Sequence, residues 1–461
     1  MSVSSRREDL EAIFQAGLRR VDPHRMLIDH VRLDGSVLSV DLGDGGQHFD
    51  LAPYKKIYLI GAGKATAPMA RAMEIILGDR LDGGIICVKY GHTEKLQKVE
   101  TIEAAHPVPD ENGQKGAQKI LALAESGDEQ TLFISLISGG GSALLTLPWD
   151  GSSNLEGTSL SLEDKQQTTQ QLLACGADIE EINCIRKHLS MIKGGRLVER
   201  MAPARSINFI LSDVVGDTLS SIASGVTCGD PTTYADAQSI LRKYEIEDRI
   251  PAVVRDLLER GNSGEIPETL KPGDPALDLT ANVLIGTNLQ ALEAAAEEGE
   301  RRGYRVIRLT SRIVGEAKEV ATTLAAIAID CADRATIAEP PVCILSGGEP
   351  VVRLKGHGKG GRNQEMALAY LLEIKRYKEL CGSLSFLAAS TDGNDGPTDA
   401  AGAFADLALL EAAAAAGLNP SIYLMDNDSY HFFEQCDGLL KTGPTNTNVC
   451  DLHISLIESK V

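Results

Sequence analysis

Short apolar runs that stop abruptly at glycine or an acid recur along this chain, with amphipathic stretches between them. Residues 56–60 run into Gly61-Ala62-Gly63, and 85–88 into Lys89-Tyr90-Gly91. Residues 132–137 run into Ser138-Gly139-Gly140-Gly141, and 207–211 into Ser212-Asp213. Helical periodicity fills the intervals 64–77, 113–125 and 163–175, and an amphipathic helix over 7–20 carries Leu10, Ile13, Phe14 and Leu18. Apolar strands alternating with helices predict βαβ units, hence an α/β chain with largely parallel sheets. In such sheets ligands bind at the carboxyl ends of the strands, where these glycines and acids fall.

At 461 residues the chain is long enough for two or three domains. Residues 261–279 are rich in Gly and Pro and lack periodicity. They predict a boundary between a domain over 1–270 and a second over 271–461. Beyond them the pattern restarts, with strands expected at 283–285, 304–309, 342–345, 384–389 and 451–457. Helices are expected at 289–302, 315–334 and, from its alanine content, 400–417.

A formal net charge of −20 argues against nucleic acid or an anionic membrane as partner. An anionic substrate would need positive charge concentrated locally. Nine cysteines without CxxC or CxxH spacing fit free thiols in a reducing cytoplasm. The chain shows no apolar leader segment and no run long enough to span a membrane, so a cytoplasmic location is expected.

Six segments carry candidate chemistry. Gly61-Ala62-Gly63-Lys64 is a tight strand-to-helix turn where the backbone can approach an anion and Lys64 adds a mobile charge. It lacks Walker A spacing. Thr66 stands where a dinucleotide fingerprint has its third glycine, and Lys89 where an acid for NAD is usual. Ser138-Gly139-Gly140-Gly141-Ser142 predicts an anion nest. Arg186-Lys187-His188 with Lys193 and Arg196 places five cationic or titratable groups within eleven residues, either a carboxylate or phosphate site or a solvated helix face. Asp213 with Asp217 can hold Mg²⁺ or simply cap a turn. Lys359, Gly361 and Arg362 lie in a glycine-rich run before a helix, a second anion-binding loop in which arginine offers bidentate bonding. Asp392, Asp395 and Asp399 fit Mg²⁺ binding or a general base, and lack the register of a calcium loop. Two cationic glycine loops and two acidic loops make up the inventory of phosphoryl transfer.

In order along the chain, GAGKA, SGGGSALL, RKHLSMIKGGRL, LSDVVGD, IASGVTCGDPTTY, SGGEP, GKGGRNQE, STDGNDGPTDAAGA and TGPTNTNV resemble the class II glycerate 2-kinases, whose C-terminal half is the MOFRL module. The resemblance implies two three-layer α/β/α domains, Rossmann-like then MOFRL, with the active site in the cleft between them. It implies D-glycerate and ATP as substrates, with Mg²⁺, and 2-phosphoglycerate as product. By similarity Lys64 and Arg362 stabilise the transferred phosphoryl group. Gly61, Gly63, Ser138, Gly139, Gly140, Gly141, Ser142, Lys193, Lys359 and Gly361 become phosphate or substrate contacts. From the acidic loops themselves, and not from the resemblance, Asp392 or Asp395 is expected as the base, and Asp213, Asp217 and Asp392 as the metal ligands. A homodimer is compatible with this. The competing expectations are a hydroxypyruvate reductase, a kinase of a related hydroxy acid, or a non-catalytic nucleotide or anion binder.

Overall fold

A computed structural model describes residues 3–43, 45–151, 159–379 and 381–459. By its contacts the chain divides into two compact units. One comprises Pro23–Ser212 and Asp217–Ile285. The other comprises the residues up to Asp22, Asp213–Gly216, and Gly286 onward. The expected division at 270/271 differs from this in three places: Asp213–Gly216 falls with the C-terminal unit, and each of the other two differences has a physical cause. The strand Thr280–Gly286 completes the N-terminal sheet, which carries segment 271–285 with it. The opening helix Val3–Arg20 buries Leu10, Ile13 and Phe14 completely within the C-terminal unit. A Cβ on Gly17 would lie 2.9 Å from Leu452 Cδ1, so the helix sits close on the last strand.

The N-terminal unit is built on a six-stranded sheet whose order is Val99–Ala104, Gly83–Lys89, Lys56–Ala62, Thr131–Ile137, Arg205–Leu211, Thr280–Gly286. The first four pairings are parallel, as the alternating pattern predicts. A separate three-stranded antiparallel sheet covers 31–50.

The C-terminal unit departs from the expected parallel arrangement. Its sheet runs Arg305–Ile313, Val342–Gly348, Asp451–Ile457, Leu384–Ser390, Gly402–Asp406, Leu439–Leu440. Only the first pairing is parallel, and the other four are antiparallel. The last strand inserts between two earlier ones and sets that direction. The expected 400–417 helix is also split. Gly402–Asp406 is a fully buried strand, and the helix covers only Leu407–Ala415, with Asp406 as its cap. Here strand pairing overrides alanine's helical propensity. Alternation along the last strand gives three layers. Leu452 faces the opening helix, while Ile457 joins Phe386, Tyr370 and Ala325 in the core beneath the helices Ala317–Arg334 and Arg362–Arg376.

Among the described residues no helix is long and apolar enough to cross a membrane.

Candidate functional site

In the N-terminal unit two strand ends are locked together. Gly61 and Gly63 admit the neighbouring strand's backbone. A Cβ on Gly61 would lie 2.3 Å from Leu136 O, and one on Gly63 would lie 2.0 Å from Ser138 Oγ. Lys64 N donates to Gly139 O at 2.9 Å, and Ser138 N to Ala62 O at 3.1 Å. Ser138 is buried, and its hydroxyl accepts from Ala65 N at 3.1 Å at the start of the helix Thr66–Leu77. The glycines and Ser138 therefore serve loop-to-loop packing first.

Packing of the two loops leaves the Lys64 side chain against Gly140, where a notional Cβ would lie 3.3 Å from Lys64 Cε. Gly140 itself has φ +83, a left-handed conformation that favours glycine. The imidazole of His106, which sequence reasoning missed, lies on the same glycine, 2.9 Å from that notional Cβ. Burial pushes its pKa down to about 4, helped by the charges of Lys64, Lys89 and His92, so the ring is neutral at pH 7. His106 is an isolated histidine in the sequence, and nothing in its spacing marks it.

On the other flank of the loop, Lys193 Nζ donates to Ser142 O at 2.7 Å and to Ser142 Oγ at 3.0 Å. Ser142 Oγ meets Ser224 Oγ at 2.8 Å, and Ser224 Oγ donates to Asn183 Oδ1 at 3.0 Å. The five-group cationic run does not share one task. Lys187 is buried in an ion pair with Asp230 at 3.1 Å. His188 bridges Cys184 O and Glu268. Arg196 donates to Lys187 O, Ser190 O, Tyr234 OH and Pro267 O. These three hold the fold. Among the described residues neither Lys193 nor Arg186 has an acid partner.

The C-terminal unit gathers its own set. Arg362 opens the helix Arg362–Arg376 and donates from Nε and Nη2 to Asp451 at 2.5 and 2.8 Å, with Glu349 at 3.1 Å from Nη1. Burial alone would lower its pKa, and the bonds and charge of Asp451 more than offset that. Burial raises the Glu349 pKa, as do the charges of Asp451 and Asp213, against the lowering effect of Arg362. One guanidinium thus faces two acids, and Asp213 adds its charge at Glu349, a local surplus of negative charge. Glu349 and Asp451 were missed because each is an ordinary acid at a strand end, brought to Arg362 only by the sheet.

The expected anion loop before Arg362 is already satisfied by protein. Lys355 N and Gly356 N donate to Asn427 Oδ1, His357 N to Asp426 Oδ1, and Lys359 N to Asp428 Oδ1. A Cβ on Gly361 would lie 2.3 Å from Asp395 Cγ, and Lys359 Nζ stacks 4.3 Å from the Tyr430 ring centroid. Asp395 is buried and caps the helix, accepting from Asn363 N at 3.0 Å and Gln364 N at 2.8 Å. Burial raises its pKa to about 7 in spite of those bonds. Asp392 is half-buried and is held by Ser390 Oγ and Asn394 N, both at 2.9 Å. Asp213 belongs to this unit and Asp217 to the other. Among the described residues, no three His, Cys, Asp or Glu side chains converge to hold a metal ion unaided.

Comparison with known proteins identifies the family. The family model described as a domain of unknown function, DUF4147, matches residues 9–259, and that of the MOFRL family matches 342–451. A glycerate 2-kinase of Pyrococcus horikoshii is 40% identical over 96% of this chain and 95% of its own. A protein of Agrobacterium vitis, 37% identical over 98% of this chain and 95% of its own, carries a provisional name as a hydroxypyruvate reductase. The crystal structure of a glycerate kinase from Thermotoga maritima matches with a TM-score of 0.84 at 35% identity, over 98% of this chain and all of that one. The chain belongs to the class II glycerate kinase family, built of a DUF4147 module followed by a MOFRL module.

Proposed function

We propose that this protein transfers the γ-phosphoryl group of ATP to the 2-hydroxyl of D-glycerate, giving 2-phosphoglycerate, in a reducing cytoplasm. The observation that carries this reading is Lys64. Its side chain lies against Gly140 of the Ser138–Ser142 loop, and among the described residues no ion pair engages it. An unpaired cation beside a glycine-rich strand end is suited to charge that builds on a transferring phosphoryl group. Similarity to named glycerate 2-kinases over nearly the whole chain supports the choice of substrate.

In this mechanism Lys64 and Arg362 stabilise the transferring group, and Asp451 and Glu349 orient the Arg362 guanidinium. Neutral His106 can donate a hydrogen bond beside Lys64. Asp392 accepts the proton of the attacking hydroxyl. Asp395 is assigned to the helix cap, since both its oxygens are engaged by backbone amides. The surplus acid around Arg362 fits a divalent cation, and Asp213 and Glu349 would hold Mg²⁺ there, partnered by phosphate oxygens as is usual for that ion. When bound it would neutralise phosphate charge.

The test is product formation from D-glycerate and MgATP, coupled through enolase without added mutase. Signal identifies 2-phosphoglycerate. ADP release with silent coupling would mean another position or another acid. If neither appears, reduction of hydroxypyruvate by NADH or NADPH decides for the reductase reading.

A further inference from the structure

Behind the Ser138–Ser142 loop lies a cationic cluster drawn from separate parts of the N-terminal unit. Lys165 comes from the helix Leu162–Ala174, Arg186 from the helix Ile179–His188, and Lys193 from the turn that follows. Lys165 is 7% exposed and Lys193 1% exposed. Lys193 reaches Ser142, as described above. Lys165 Nζ is buried and, among the described residues, has no hydrogen-bond partner.

Burying an ammonium group without a partner is costly, and two or three together repel one another. The strain registers in their titration. Burial lowers Lys165 to about 7, with Arg186 adding to the effect. Lys193 is driven down by burial and then by Lys165 and Arg186, and Arg186 by burial alone. Among the described residues no acid pairs with any of the three. The neighbouring Lys187 shows the alternative, since Asp230 neutralises it at 3.1 Å. A fold that pairs one lysine and leaves the next cluster unpaired has left room for an anion that arrives from outside.

Resting on the kinase reading above, we propose that Lys165, Arg186 and Lys193 bind the carboxylate of D-glycerate, and that the Ser142–Ser224–Asn183 chain receives its hydroxyl groups. Lys165 lies in a segment that no motif marks. The choice of carboxylate over nucleotide phosphate follows from burial. A compact monoanion can be desolvated fully by such a cluster, whereas a metal-bound triphosphate keeps part of its hydration. The position also serves the chemistry. Ser142 is two residues from Gly140, against which Lys64 lies, and in a 2-hydroxy acid the reacting oxygen is one carbon from the carboxylate.

The test compares D-glycerate with its neutral amide, D-glyceramide, in the wild-type protein and in Lys165→Met. Wild-type protein should bind glycerate far more tightly than glyceramide by calorimetric titration. In Lys165→Met the affinity for glycerate and the KM for glycerate should weaken on the order of 10- to 100-fold, the cost of one charge-assisted bond. The affinity for glyceramide and the KM for ATP should stay within about twofold. Removing an unpaired buried charge should leave the melting temperature equal or higher. If Lys165→Met fails to fold, Arg186→Gln, at a half-buried position, gives the same readouts. Unchanged glycerate affinity in the variant overturns the assignment, and so does a rise in the KM for ATP alone, which would place a nucleotide phosphate there. A wild-type protein that binds glycerate through Lys165 yet does not phosphorylate it would refute the kinase reading and leave this site standing.

Discussion

Lys64 is held by its neighbours' backbones and, among the described residues, not by a charge partner, which makes its substitution informative. Lys64→Ala removes no ion pair, so the fold should persist while turnover falls on the order of 100- to 1,000-fold even at saturating ATP. Steady-state kinetics with D-glycerate and MgATP checks this, and a change confined to the KM for ATP would mean that Lys64 only binds. Gly63 presents the opposite case. Any Cβ there meets Ser138 Oγ, and φ is +146, so Gly63→Ala should destabilise the protein by about 1–3 kcal/mol, read from denaturant unfolding. At this scale the sequence revealed loops but not all of their contents. Lys64 and Arg362 announce themselves by adjacent glycines. His106, Lys165 and Asp451 do not, because each is common in its own segment and gains meaning only from neighbours tens or hundreds of residues away, and Glu349, though it follows Gly347-Gly348, gains its role only from Arg362. Composition also misled, since the amides of 355–359 that promised an anion loop are taken by the Asp426–Asp428 turn.

Among the elements, Glu268 ties two helices of the N-terminal unit together. One carboxylate oxygen meets His188 Nε2 at 3.1 Å on the helix Ile179–His188. The other accepts from Tyr234 N at 2.9 Å at the start of the helix Tyr234–Lys243. Burial tends to raise its pKa, but the bonds from His188, the Tyr234 amide and Lys271 lower it to about 2. A carboxylate whose folded pKa lies below its unfolded value stabilises above the unfolded pKa and loses that contribution as pH falls toward the folded one. The window here runs from about 4.5 down to about 2. Glu268→Gln should therefore lower stability at pH 7 and flatten its decline between pH 5 and pH 3, measured by urea unfolding. Parallel curves for both proteins would remove Glu268 from the acid response. Elements were legible wherever apolar runs end in glycine, as at Lys56–Ala62 and Thr131–Ile137. The 400–417 stretch failed because small residues suit close strand packing as well as helices. A Cβ on Gly402 would lie 1.9 Å from Ala388 O, so only glycine lets those two strands meet.

For the molecule as a whole, sequence order and structural membership diverge at the start of the chain. The opening helix belongs to the unit formed by residues from Gly286 onward. It brings Leu10, Ile13 and Phe14, all fully buried, and Arg7, which pairs with Asp406 at 2.8 Å. Asp9 accepts from Tyr304 OH at 2.8 Å and also pairs with Arg302. Each buried apolar side chain is worth about 1.5–3 kcal/mol, so three of them rival much of the roughly 5–15 kcal/mol net stability of a typical domain. Periodicity alone identifies such a helix, but it cannot say which sheet the apolar face will cover, because either unit offers an apolar layer. A chain of residues 286–461 alone should consequently be only marginally folded, with the face around Leu452 uncovered. Adding a peptide of residues 1–22 should restore cooperative melting in circular dichroism and raise the midpoint with peptide concentration, as mass action requires. A peptide with Phe14→Asp should have no such effect. If the 286–461 chain melts cooperatively at the same temperature with and without the peptide, the opening helix is not part of that unit's core.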